Sequence, residues 1–205
     1  MNKPKATGAW NRGKKLPAEP LAPVEVIRLI DQCSKRAPSG VRNAAMLAVM
    51  WRCGLRCSEC LDLMPRDIDS DTGLVRVRNG KGGKPRVVKV DSTALALVAR
   101  WLDKRTGLGL NGRHRLFCTL SGKRLDGRYV RALTARLGRK AGIERRCHPH
   151  ALRHSHASEL AREGKPVHLI QQQLGHASLA TTSGYIAKLS PKELSDGLGD
   201  RSWNP

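Results

Sequence analysis

One short segment places two imidazoles and a guanidinium at helical spacing. Directly after Pro149, the side chains of His150, Arg153 and His154 fall at positions i, i+3 and i+4. On a helix these positions share one face, whereas Leu152 points to the opposite side and into a core. A cation and an imidazole are thus aimed at one point, which suits binding of an anion together with proton transfer.

The same two histidines could also form a metal site. An i, i+4 histidine pair occurs in the zinc motif H-E-x-x-H, in which the glutamate supplies the general base. Ala151 occupies the glutamate position here. The pattern therefore disfavours zinc at His150 and His154.

A second arginine, Arg56, lies in the stretch Gly-Leu-Arg-Cys-Ser-Glu, residues 54–59, where one predicted helix breaks and another begins. An arginine within an apolar stretch needs an anionic partner, because an unpaired buried charge costs several kcal/mol. Two partners remain open: an anionic substrate, or Glu59 in a structural ion pair.

Three further residues are individually weak candidates. Lys81 lies in a Gly-Lys-Gly-Gly-Lys turn, where a lysine is by default exposed to solvent, and the turn lacks the spacing and the Ser/Thr of a phosphate-binding P-loop. His176 follows Leu-Gly at a predicted helix end, and Tyr185 comes nine residues later. A single tyrosine more often packs than reacts.

The order of these motifs resembles that of the tyrosine recombinases, the phage integrase family. The motifs are Gly-Leu-Arg-x-Ser-Glu, a hairpin Gly-Lys-Gly, His-x-Leu-Arg-His, Leu-Gly-His and the later tyrosine, and they extend over residues 21–190. The resemblance implies that Tyr185 is the nucleophile, that Arg56 and Arg153 clamp the scissile phosphate, and that Lys81 is the general acid. It further implies that His150 is the acid–base histidine and that His176 donates to the phosphate.

What the resemblance implies about activity is site-specific recombination of DNA, as integration, excision or inversion, through a 3′-phosphotyrosyl intermediate. Two guanidinium groups can stabilise the charge that develops on the phosphate, and the covalent intermediate keeps the bond energy, so no cofactor is expected. A tetramer would exchange the strands through a Holliday junction. Two rivals remain: a type IB topoisomerase, and a catalytically silent DNA-binding regulator of the same fold.

Composition independently favours a polyanionic partner. The chain of 205 residues carries 38 Lys+Arg against 17 Asp+Glu, a net charge of +21. It contains only four Trp, two Tyr and one Phe, too few for extensive stacking on single strands, so double-stranded DNA is the expected partner. The expected DNA contacts are Arg76, Arg78, Lys84 and Arg86 on a hairpin, and Arg128, Arg131 and Arg136 on a helix.

The sequence shows neither a long apolar run nor an apolar signal segment, so we expect a cytoplasmic, nucleoid-associated protein without a membrane span.

The chain divides into three expected regions: a basic flexible N-terminal arm (1–20), a catalytic domain (21–190) and a C-terminal tail (191–205). The tail helix either docks on a neighbouring protomer, folds onto its own domain or stays frayed. Most members of the resembled family carry a helical core-binding domain ahead of the catalytic one, and this sequence offers only the arm there. We therefore expect one of three sources to make up the DNA affinity: the arm, an accessory DNA-binding protein, or a DNA site that is held close by other means.

The elements that must position these residues are mainly helical, with a small antiparallel β-sheet (α+β), as in the tyrosine recombinase catalytic-domain fold. Cys53, Cys57 and Cys60 fall at the spacing of a buried helical stripe, which predicts core thiols rather than a metal or redox site. Apolar periodicity and helix-end signals predict these segments: helices from 23 and over 41–53, 58–63, 92–104, 127–141, 150–163, 166–174, 178–187 and 191–198, with a hairpin of 74–78 and 86–90.

Overall fold

The computed structural model describes residues 20–78, 80 and 85–175, and these residues form a mainly helical domain with one small antiparallel sheet. The predicted fold class is confirmed. The elements are α1 (Pro23–Asp31), α2 (Pro38–Arg52), α3 (Cys57–Asp62), a 3-10 turn (Pro65–Asp67), β1 (Leu74–Val77), β2 (Arg86–Lys89), α4 (Ser92–Gly107), α5 (Gly127–Lys140), α6 (Pro149–Arg162) and α7 (Val167–Leu174). The two helices predicted over 178–187 and 191–198 lie outside the described residues.

Helix α2 forms the centre of the core. The sequence predicts one apolar face on this helix, carrying Ala44, Leu47, Ala48 and Trp51, but the structure buries nearly every residue from Gly40 to Trp51. The difference arises because α1, α3, α4 and α6 all pack against α2. Apolar residues all round a helix indicate complete burial rather than a surface position.

Strands β1 and β2 pair antiparallel, with Leu74 opposite Lys89 and Val77 opposite Arg86. Val75, Val77 and Val88 face the core, whereas the alternate side chains face outward. The hairpin therefore has one packed face and one open face. The loop that joins its strands contains Lys81 and Lys84, which lie outside the described part of the chain.

Local signals fix the ends of the elements that carry the candidate site. The Nδ1 of His148 accepts a hydrogen bond from the Ala151 backbone N–H, and Pro149 occupies the first position of α6. Helix α7 ends at Gly175, whose φ of 63° is left-handed, as is common for a glycine that follows a helix. Helices α6 and α7 pack against each other.

The three cysteines clustered in sequence lie in the core or pack against it. Cys53 and Cys60 are fully buried in the core, as the helical-stripe interpretation predicts, and Cys57 is partly buried. Burial raises the pKa of the Cys53 and Cys60 thiols well above the ordinary value, which keeps them protonated and unreactive. Among the described helices, none is both long and apolar enough to cross a membrane.

Candidate active site

Arg56 stands immediately before α3 and is bound to Glu59 one turn later. Its backbone N–H donates to Oε2 of Glu59 over 2.8 Å, and its Nη1 donates to Oε1 over 2.6 Å. Glu59 at the third helical position thus caps the helix and holds the arginine side chain at once. The ion pair that the sequence left as one of two interpretations exists in the structure.

That carboxylate is shared with a second arginine. Arg86 of β2 donates from Nη1 and Nη2 to the two oxygens of Glu59, each over 2.9 Å. The Glu59 side chain is only 2% exposed. Burial by itself raises the pKa of Glu59, but the hydrogen bonds from Arg86 and Arg56 outweigh burial and bring the pKa down to about 2. One negative charge therefore faces two positive charges.

The remaining donors of Arg56 matter for anion binding. Its Nη2 donates to the carbonyl of Gly175 over 3.3 Å. A guanidinium carries five N–H groups, and Arg56 makes two side-chain hydrogen bonds within the described residues. The side chain is 25% exposed. Arg56 is therefore held in place while it keeps donors for a further acceptor.

Arg153 on α6 reaches the same end of α7. Its Nη1 donates to the carbonyl of Gly54 over 2.6 Å, and its Nη2 donates to the carbonyl of Leu174 over 2.7 Å. The residue is only 1% exposed. Arg153 and Arg56 thus bind the successive carbonyls of Leu174 and Gly175, so the two guanidinium groups converge on the C-terminal end of α7.

His150 lies beside this pair, in the first turn of α6. Desolvation, followed by the charges of Arg153, His148 and Arg56, lowers the pKa of His150 below its ordinary value. At neutral pH the ring is therefore uncharged and can accept a proton. Its centroid lies 4.3 Å from that of His154 in an edge-to-face arrangement, which confirms that the two histidines share one helix face.

The structure thus brings together Arg56, His150 and Arg153, three of the six predicted catalytic residues. The other three, Lys81, His176 and Tyr185, lie outside the described residues, and their roles remain predictions. Among the residues that the structure describes, none form a group of three or more histidine, cysteine or acidic side chains able to hold a metal ion.

The arginines expected to contact DNA from the hairpin differ in their surroundings. Arg76 is exposed on the open face of β1. Arg78 is bound to the buried carboxylate of Asp67, with its Nε at 2.9 Å from Oδ1. Arg86 is engaged with Glu59, and its side chain is only 9% exposed. Lys84 lies outside the described range.

The three arginines expected to contact DNA from α5 are all exposed, but they do not share one face. Arg131 and Arg136 are five residues apart, about 140° round a helix. Arg131 lines a groove of about 270 Å³ between α5 and the segment that leads into α6. Its other basic side chains are Arg139, Arg145, Arg146 and His148, which the sequence interpretation missed.

Two other functional candidates were also missed in the sequence. The charge of His148 helps to lower the pKa of His150. Its position before Pro149 could have revealed it, because a polar side chain is favoured at the residue that precedes a helix. The contact between Arg86 and Glu59 joins residues 27 positions apart. No local pattern could reveal that contact.

The chain is similar to a well-defined group of known proteins. The model of the phage integrase family matches residues 19–191. The tyrosine recombinase XerC of Salmonella typhi is 40% identical over 161 residues, which cover 78% of this chain and 53% of that protein. The XerC of Chromohalobacter salexigens is 37% identical over 172 residues, with coverages of 84% and 56%. The chain therefore spans about half the length of these relatives.

Solved structures agree with the family match. The crystal structure of XerA recombinase gives a TM-score of 0.74 at 32% identity, covering 89% of this chain and 62% of that one. The post-cleavage complex of the XerH site-specific recombinase with palindromic difH substrate gives the same TM-score at 28% identity, covering 88% and 52%. The predicted resemblance is thereby confirmed, and the chain belongs to the phage integrase family, the tyrosine recombinases.

Proposed function

We propose that this chain is the catalytic part of a site-specific DNA recombinase that cleaves and rejoins strands through a covalent bond to Tyr185. The observation that carries the proposal is the convergence of Arg56 and Arg153 on the carbonyls of Gly175 and Leu174. His150, with its lowered pKa, lies beside them. Two fixed cations and a neutral imidazole are the groups that phosphoryl transfer without a cofactor needs.

In the proposed reaction, the phenolic oxygen of Tyr185 attacks the scissile phosphorus as the bond to the 5′-oxygen breaks. His150 accepts the phenol proton, and Lys81 delivers a proton to the leaving 5′-oxygen. Arg56, Arg153 and His176 stabilise the charge on the non-bridging oxygens. The 5′-hydroxyl of a partner strand then reverses these steps and releases Tyr185.

The proposed partners follow from the charge and from the relatives. The substrate is double-stranded DNA, and the XerH relative is described in complex with its DNA substrate. The active assembly is a homo-oligomer, a tetrameric synapse of two duplexes. Residues 1–20 act as a basic arm on the DNA backbone, 21–190 as the catalytic domain and 191–205 as a tail that docks on a neighbouring protomer. An accessory DNA-binding protein supplies further affinity.

The test is capture of a covalent adduct on nicked duplexes tiled across the DNA on either side of the gene. The reaction is run in EDTA and analysed by denaturing gel and by mass spectrometry of the DNA-bound peptide. The chain has only two tyrosines, so Tyr129→Phe is a matched control for Tyr185→Phe. The Tyr129 hydroxyl accepts hydrogen bonds from Arg42 and Asn43.

The proposal requires an adduct on the Tyr185 peptide that survives Tyr129→Phe and disappears in Tyr185→Phe, with DNA binding unchanged. A requirement for two sites identifies a recombinase. Relaxation of supercoiled DNA by the monomer, without pairing of sites, would replace the proposal by a topoisomerase. Specific binding without any adduct would point to a regulator.

A further inference from the structure

We infer that Arg86 is a positioning residue for Arg56, acting through their shared carboxylate Glu59, rather than a DNA contact. This inference rests on the proposed function, because it concerns how Arg56 is prepared for the scissile phosphate. The sequence placed Arg86 among the basic residues that a hairpin offers to DNA. Its surroundings in the structure lead to a different role.

All three nitrogens of the Arg86 guanidinium donate to acceptors of the protein itself. Nη1 and Nη2 bind the two oxygens of Glu59, and Nε donates to the carbonyl of Gln173 over 3.3 Å. The Arg86 side chain is 9% exposed, whereas that of Arg78, on the same hairpin, is 40% exposed. Because both terminal nitrogens of Arg86 already bind the buried carboxylate of Glu59, the forked side that would bind a DNA phosphate is occupied.

Charge balance explains what Arg86 does for Arg56. With Glu59 as its sole neighbour, Arg56 would form a neutral pair and would attract a phosphate only weakly. Arg86 adds a second positive charge to the same carboxylate, so the group of three carries a net charge of +1. The planar fork of Arg86 also fixes both carboxylate oxygens, which fixes the direction in which Nη1 of Arg56 points.

Arg86 also joins the hairpin to the end of α7. The side-chain amide of Gln173 pairs with the backbone of Lys89, donating from Nε2 over 3.0 Å and accepting at Oε1 over 3.2 Å. A Cβ on Gly175 would lie 2.9 Å from Cδ of Arg86. Arg86 therefore packs directly on the residue whose carbonyl holds Arg56, and it sets the spacing between β2 and this carbonyl.

The test compares Arg86→Gln and Arg86→Lys with Arg100→Gln, which removes one exposed positive charge from α4. On the nicked duplex that gives the adduct, we expect Arg86→Gln to lower the rate of adduct formation at saturating DNA by about 100-fold, with little change in Kd. Lysine keeps the charge without the fork, so Arg86→Lys should recover part of this loss. Arg100→Gln should match the wild type.

A double-mutant cycle separates positioning from a general loss of structure. In an Arg56→Gln background, replacing Arg86 by Gln should lower the rate by no more than about threefold, because the group that Arg86 positions is already gone. If the two substitutions instead lower the rate by independent factors that multiply in the double variant, the inference is overturned. An unchanged rate at saturating DNA with a weaker Kd and a salt slope reduced by about 0.9, which is the signature of a lost phosphate contact, would also overturn it.

A second measurement needs no DNA and so stands apart from the proposed function. Carbon-13 NMR titration of the Glu59 carboxyl and nitrogen-15 relaxation of Arg56 Nε are recorded on the whole chain. Arg86→Gln should raise the pKa of Glu59 and increase the motion of the Arg56 side chain at Nε. Arg100→Gln should leave both quantities as in the wild type. If these shifts appear but no DNA forms an adduct with the wild type, the proposed function fails and the positioning stands. If neither shift appears, the positioning is wrong.

Discussion

Arg153 and Gly54 are joined by a hydrogen bond of 2.6 Å from Nη1 to the main-chain carbonyl, which ties α6 to the turn two residues before Arg56. The second terminal nitrogen of Arg153 binds Leu174 at the end of α7. The Arg153 side chain therefore links three segments: α6, the turn before Arg56, and the end of α7 that precedes His176.

Replacing Arg153 by alanine should lower the rate of adduct formation by about 1,000-fold or more, because both a cation at the phosphate and the anchor of the turn are lost. Arg153→Lys keeps the charge but cannot bind the carbonyls of Gly54 and Leu174 together. Its rate should therefore fall between those of the wild type and Arg153→Ala. The measurement is the single-turnover rate on nicked DNA. Equal rates for lysine and wild type would show that charge alone matters here.

A side chain at Gly54 should destabilise the fold. Its φ is 59°, and a Cβ would lie 2.7 Å from both His156 Cδ2 and Leu174 Cδ2. Gly164 has a similar φ of 68° but open space around its Cα, so Gly164→Ala measures the backbone strain alone. In urea unfolding, Gly54→Ala should lose about 2 kcal/mol more stability than Gly164→Ala. Equal losses would mean that the neighbours move aside freely.

His156 should make the fold sensitive to mild acid. The residue is 5% exposed, and burial, together with Arg52 and Arg153, lowers its pKa to about 4 despite the opposing charge of Asp91. Because the unfolded chain binds this proton from about pH 6.5 downward, stability is present above that pH and is lost as the pH falls toward 4. The loss from His156 should be about 2 kcal/mol between about pH 7.5 and about pH 5.

The check is urea unfolding of His156→Phe at both pH values, where the acid-induced loss should shrink. His168→Gln, which removes an exposed histidine from α7, is the control and should keep the full loss. Glu59 titrates in a separate range, since its pKa of about 2 means that its contribution is lost only as the pH falls below its ordinary value of 4.5. A full loss in His156→Phe would assign the acid sensitivity to other groups.

The groove between α5 and the start of α6 should contact DNA phosphates. Arg131 and Arg139 lie eight residues apart on α5, about 80° round the helix, and both line this groove. Each neutralising substitution, Arg131→Gln or Arg139→Gln, should flatten the plot of log affinity against log salt by about 0.9. Arg100→Gln, on a different face, should leave the slope unchanged. Slopes equal to that of the wild type would remove this groove from the DNA interface.

The sequence by itself predicted the described α-helices and the hairpin, and it named Arg56, His150 and Arg153, which the structure brings together. The start of α6 was readable from Pro149, and the end of α7 from Gly175, because both signals are local. The shared face of His150 and His154 followed from helical spacing alone. The motif order predicted the family, which the family model and the relatives confirm.

Only the tertiary structure decided which charges meet. Arg86 and Arg78 look alike in sequence, since both are basic residues flanking one hairpin, yet they bind different buried carboxylates, Glu59 and Asp67. The burial of α2 on nearly all sides likewise depended on four helices that pack around it. Helical and strand periodicity report which face of an element is apolar, but the partner of a buried charge is set by packing between residues distant in the chain.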